Sequence, residues 1–75
     1  MLPLEYLQDS ELAEITNVEG DPHFVARLAD FGILVGSAIR MIQRGSPCLV
    51  QVGDARLSLR LNDHQTVFVR PIPAS

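Results

Sequence analysis

Few side chains in this sequence could carry covalent or metal chemistry: one cysteine (Cys48), two histidines (His23 and His64) and nine carboxylates, Asp21 and Asp63 among them. Zinc sites usually declare themselves by close pairs, because several ligands must converge on one ion: two cysteines two apart, or two histidines three to five apart. No such pair is present. Asp21 lies two residues before His23, and Asp63 adjoins His64, so each pair offers at most two ligands to a site completed elsewhere. The plainer reading is structural. His23 is a solvated helix-face residue, His64 a turn residue, and Cys48, in phase with Val50 and Val52, a small core residue. Any divalent-metal binding through His23, Asp63 or His64 is expected to be weak, and no cofactor is expected to be required.

Hydrolytic chemistry needs a nucleophile, a base and an orienting acid converging in one pocket. One cysteine and two histidines on separate turns, with no glycine-flanked serine, supply no such set. The segment Gly32-Ile33-Leu34-Val35-Gly36 lacks the lysine and hydroxyl residue that follow the second glycine of a phosphate-binding loop. The chain is therefore expected not to be an enzyme. Arg40, Arg56 and Arg60 fall on the polar phase of their strands and read as a solvated wall paired with nearby acids, or else as a docking patch for an acidic partner. Four aromatic residues, Tyr6, Phe24, Phe31 and Phe68, are too few for an aromatic cage. Ile42, Leu49 and Phe68 stand out of phase with their strands, and Ile33, Leu34 and Val35 add an apolar turn. These residues either form an exposed partner site or lie under the helix and the N-terminal segment.

The elements that position these residues follow from a chain of 75 residues, 47% hydrophobic and 20% charged, which makes one globular domain (1–75, core about 4–70). A chain this short buries only about 60% of the surface its unfolded form exposes. That favours a binding or regulatory module over a catalytic cleft. Six arginines, no lysine and nine acids leave a net charge of −3. Nucleic-acid affinity comes from neutralised phosphates, so such a partner is not expected, nor is docking on an anionic membrane. The lone cysteine fits a reducing compartment. No apolar run approaches the roughly 20 residues of a membrane helix. The start of the chain lacks the basic, then apolar, pattern of a signal peptide. A cytoplasmic protein without membrane insertion is expected.

Leu4 and Leu7 could close one end of the core. Glu11–Val18 alternates as a first strand, with Ala13 and Ile15 inward and a bulge or strand end near Asn17. Asp21-Pro22 caps and opens a helix of roughly ten residues, with Phe24, Leu28 and Phe31 recurring on one face beside Val25, and Gly32 placed for a left-handed cap. Strands are then expected over Ala38–Gln43, Cys48–Val52, Ala55–Leu61 and Thr66–Arg70. Gly53-Asp54 forms a two-residue hairpin turn, Asn62–Gln65 a turn of 3₁₀ type, and Pro71 and Pro73 end the last strand. Five short strands and one helix between strands one and two predict a mainly β fold, a small SH3-like five-stranded antiparallel barrel, which removes sheet edges by closing on itself. An open α+β sheet with the helix on one face is the second architecture.

The run from Ala26 to Ser37 (Ala-Arg-Leu-Ala-Asp-Phe-Gly-Ile-Leu-Val-Gly-Ser) resembles the ferrous iron transport protein A (FeoA) family, whose helix ends in a Leu-Gly-apolar-x-Pro-Gly segment. Leu57-Ser58-Leu59-Arg60 looks like that family's fourth strand, and Asp63 through Val67-Phe68-Val69 looks like its close; together these pieces span most of residues 4–70. Val35 stands where the family has proline, and the loop Arg44-Gly45-Ser46-Pro47 is shorter than its counterpart. The resemblance implies an SH3-like barrel without catalytic residues, a small cytosolic accessory of bacterial ferrous iron uptake. It would bind the membrane transporter, ferrous iron transport protein B, through Leu28, Phe31, Gly32, Ile33, Leu34, Val35, Gly36 and Arg60. A second reading is a stand-alone metal-sensing or peptide-binding relative of the SH3-like domain that ends iron- and manganese-dependent repressors. Metal-bridged self-association into a homo-oligomer is a third.

Overall fold

A computed structural model describes residues 1–73 of the chain. Six strands form one sheet: β1 (Leu2–Pro3), β2 (Leu12–Glu19), β3 (Ala38–Gln43), β4 (Cys48–Val52), β5 (Ala55–Leu59) and β6 (Thr66–Pro71), in the spatial order β1-β6-β2-β3-β4-β5. All pairs are antiparallel. One helix, α1 (Pro22–Asp30), lies between β2 and β3. The five expected strands are present, and the two-residue β1 adds a sixth by pairing with the end of β6. The fold is mainly β, with its core between the inward faces of the strands, where Ala13, Ile15, Ile39, Met41, Val50, Val67 and Val69 are all fully buried.

Two bulges explain why the inward phase breaks. In β2 the register against β6 shifts between Ile15 and Asn17, so the extra residue restores Val18 to the core side. In β3 the register against β4 shifts between Met41 and Gln43, which leaves Ile42 half-buried off the alternation. Phe68 is half-buried and pairs with Pro3 of β1, so the N-terminal segment takes one of the out-of-phase apolar residues under cover.

Three local expectations change. The single-turn 3₁₀ helix is at Leu4–Tyr6, not at Asn62–Gln65. Pro3 sets an extended entry, and the turn drops Leu4 and Leu7 fully into the core. Asn62–Gln65 is a plain turn closed by the Gln65 N–H donating to the Asn62 carbonyl (3.1 Å). β6 runs through Pro71, which pairs with Ala13; the ring occupies a position where the missing N–H is tolerated, and Ile72 N–H donates to Leu12 at 2.9 Å. β5 also stops at Leu59, short of Leu61.

The helix begins as its sequence dictates. Asp21 accepts a hydrogen bond from Phe24 N–H (3.0 Å), and Pro22 fills the first turn. It ends in a Schellman motif: Ile33 N–H donates to the Leu28 carbonyl (2.9 Å) and Gly32 N–H to the Ala29 carbonyl (2.9 Å), with Gly32 at φ +89°. That closure puts Leu28 and Ile33 side by side in the core, 5% and 1% exposed. The following turn is sewn to β2, as Gly36 N–H donates to Ile15 (2.8 Å) and Ile15 N–H to Ser37 (2.9 Å). Gly32→Ala should destabilise the protein by about 1–2 kcal/mol, because the left-handed conformation penalises a Cβ. That Cβ would also sit 3.2 Å from the Val52 side chain. Gly36→Ala carries the same backbone penalty at φ +93° but meets no neighbour. Urea denaturation of the two variants should therefore rank Gly32→Ala as the more damaging.

Candidate functional site

α1 stands off the sheet more than its apolar stripe predicts. Of Phe24, Leu28, Phe31 and Val25, only Leu28 is buried; Phe24 and Val25 are half-buried and Phe31 is 50% exposed. The reason is local. Phe31 is the C-cap, one position past the last helical residue, where the chain turns away at Gly32. Phe24 is held instead against Gly20, where an added Cβ would come within 2.5 Å of its ring.

Between α1 and β5 runs an open groove of about 460 Å³, a volume within the range of about 300–1,000 Å³ usual for ligand sites. Its helix side carries Phe24, Arg27 and Phe31; its strand side carries Leu57 to Leu61, with Arg60 at the rim. Leu57, Leu59 and Leu61 keep the predicted alternation but stay only half-buried, because no further strand covers them. Beside the groove the helix-end turn exposes Leu34 (45%) and Val35 (62%), which with Phe31 make an apolar patch on a backbone fixed by the two glycines.

The residues expected at a partner surface divide accordingly. Phe31, Leu34 and Val35 are exposed, Gly32 and Gly36 shape the turn, and Arg60 borders the groove. Leu28 and Ile33 are buried and bear on a partner only by holding the turn in place. The arginine wall is not the ion-paired surface expected from sequence. Arg40 donates to the Ser10 carbonyl (2.6 Å), which anchors the loop before β2. Among the described residues the recorded ion pair joins Arg70 to Glu14, directly opposite it across β2 and β6, and Arg56 and Arg60 have no carboxylate partner. The half-buried groove wall was what sequence reasoning missed: clean alternation in β5 looked like a covered strand, and nothing local says that its neighbour is absent.

The metal candidates stay apart. Asp21 and His23 border the groove, while Asp63 and His64 lie in the turn before β6, outside the groove lining, where His64 N–H donates to Asn62 Oδ1 (2.8 Å). Among the described residues no three of His, Cys, Asp and Glu gather in one place. Cys48 is buried in the core, and burial pushes its thiol up from the ordinary value of 9.0, opposed by backbone hydrogen bonds.

The family model of the FeoA domain matches residues 2–71. The chain belongs to the FeoA domain family. The FeoA protein of Chlorobium tepidum is 25% identical and superposes with a TM-score of 0.87 over 99% of this chain and 73% of its own. The FeoA of Stenotrophomonas maltophilia, solved with zinc, is 28% identical, with a TM-score of 0.79 over 93% of this chain and 91% of its own. It is described as a prokaryotic SH3 domain protein and proposed as a ferrous iron transport activating factor. A FeoA-like protein of Clostridium acetobutylicum shares the fold at 16% identity, with a TM-score of 0.75 over 99% of this chain and 90% of its own. No curated protein matches the chain. The SH3-like fold expected from the strand pattern is the fold of this FeoA domain. Among its described residues no helix is long and apolar enough to cross a membrane.

The position of Cys48 has a pH consequence. Its folded-state pKa is raised, so its contribution to stability is fully present below about pH 9, the ordinary thiol value, and is lost as the pH rises beyond it, where the unfolded thiol ionises first. Denaturant midpoints measured from pH 7 to 10.5 should fall more steeply for the native protein than for Cys48→Ala. Equal slopes would show that the thiol is not shielded.

Proposed function

We propose that this FeoA domain is an accessory protein of ferrous iron uptake that docks on the cytoplasmic part of the membrane transporter, ferrous iron transport protein B, and regulates it without doing chemistry of its own. Membership of the family supports the process, as does the activating role proposed for the Stenotrophomonas relative. The observation that carries the docking mode is the apolar turn itself. Phe31, Leu34 and Val35 are exposed together on a backbone held by two left-handed glycines and sewn to β2. Exposed apolar patches on rigid backbone mark protein contacts, since the partner gains the burial and little ordering entropy is lost. Arg60 borders the same surface, and with a net charge of −3 the chain suits a protein partner better than a polyanion.

The zinc complex of the relative supports weak divalent-metal binding as a secondary property, with exposed His23 and the Asp63-His64 turn as the donors available here. Calorimetric titration with the transporter's cytoplasmic domain is the test. Binding should be saturable, and Phe31→Ala combined with Val35→Asp should weaken it about tenfold or more, a cost of about 1.4 kcal/mol, while thermal stability stays close to that of the native chain. No binding of the native protein at high micromolar concentration would remove the transporter as its partner.

A further inference from the structure

The outward groups of β5 follow from its turn. A two-residue hairpin loop makes its flanking residues a hydrogen-bonded pair, and bonded and non-bonded pairs then alternate along the ladder. Val52 opposite Ala55 is such a pair, as are Val50 opposite Leu57 and Cys48 opposite Leu59. Arg56 and Ser58 therefore turn their N–H and C=O groups away from β4. No strand lies on that side, because β5 is the last of the sheet. Among the described residues no loop or side chain bonds to those groups either. The groove runs along this edge: Leu57, Ser58, Leu59 and Arg60, residues of both phases, line it.

Exposed Arg56 and Arg60 alternate along the edge, and Arg27 lies on the helix side of the groove beside the acidic Asp21. Arg27, Arg56 and Arg60 make no ion pair among the described residues, and the nearby Asp21 carboxylate is engaged with the Phe24 N–H. Two of the chain's six arginines, Arg27 and Arg60, thus line the groove, and a third, Arg56, stands on the strand that borders it. A second copy of the chain is a poor occupant. Pairing β5 antiparallel with itself about Ser58 sets Arg56 of each copy against Arg60 of the other, and like charges directly opposite destabilise a ladder.

We propose that the free edge of β5 accepts an extended, acid-bearing peptide segment as a further strand, with its carboxylates beside Arg56 and Arg60 and its apolar side chains seated in the groove under α1. The period of the edge dictates the period of the ligand. Arg56, Ser58 and Arg60 alternate with Leu57, Leu59 and Leu61, so a complementary strand alternates acidic with apolar residues. Main-chain bonds to Arg56 and Ser58 supply register, and the three arginines supply selectivity. The inference rests on this face being a docking surface, but not on the transporter being the protein that docks.

The experiment is an anisotropy titration of the full chain with a labelled peptide of about nine residues alternating glutamate and valine. The native protein should bind it saturably. Ser58→Pro removes one outward N–H without touching a bond to β4 and should weaken binding about tenfold or more, with an unchanged melting temperature. Arg56→Glu with Arg60→Glu should lose the glutamate peptide and gain its lysine counterpart, a swap that damage to the fold would not produce. Absence of saturable binding to the native chain, or affinity indifferent to both variants, would overturn the proposal. So would a native dimer in sedimentation that Ser58→Pro dissolves, since the edge would then belong to a second copy. A native chain that binds the transporter but not the peptide would overturn the edge proposal and spare the transporter reading; peptide binding without transporter binding would do the reverse.

Discussion

The contact between Leu28 and Ile33 governs much of this small protein. They are five residues apart in sequence and adjacent in the core only because the helix ends in a left-handed glycine that folds Ile33 back over the last turn. Full burial of two such side chains is worth roughly 1.5–3 kcal/mol each, a large share of what a domain of this size can gather. A nine-residue helix is marginal alone in water, so its docking depends on that plug. The turn that follows inherits its rigidity from the same closure, and it then bonds to Ile15 of β2 through Gly36 and Ser37.

Rigidity and exposure therefore come from one source. Because the Schellman closure spends Leu28 and Ile33 on the core, the remaining apolar residues of the segment, Phe31, Leu34 and Val35, have nowhere inward to go. The helix packs on the core through Leu28 and, partly, Phe24, and the groove lies between it and β5. Where the sheet would need another strand to cover Leu57 and Leu59, the chain turns away at Leu59 and returns only at Thr66, on the far side of the core. The ladder thus runs from β1 to β5 without joining them, and the barrel is left open at the strand that borders the helix. Arg56 stands on that open strand and Arg60 just past its end, where they oppose self-pairing.

Local chemistry was legible wherever one residue type has one physical use. Asp21-Pro22 could only open a helix, Gly32 could only close it, and Gly53-Asp54 between alternating runs could only be a tight hairpin. The bulge near Asn17 was legible because Val18 is apolar at a position the alternation makes polar. Less legible was anything that depends on a neighbour from far along the chain. Phe31 reads as a core residue by helical spacing, yet at the end of the helix it is half exposed. Leu57 and Leu59 read as covered because alternation reports a strand's two faces, not the number of strands beside it. Pro71 reads as a stop, yet it pairs with Ala13, since a sheet tolerates a missing donor where that N–H has no partner to lose.

By itself the sequence determined five of the six strands, the helix and both of its ends, and a resemblance to the FeoA family carried by the helix-end segment. These all rest on interactions between residues close in the chain, where spacing is geometry. Only the tertiary structure decided which apolar residues stay exposed, which arginines go unpaired and which strand edge is open. Those depend on how much of the sheet the remaining chain can reach, and a chain of this length runs out of covering segments before it runs out of apolar surface.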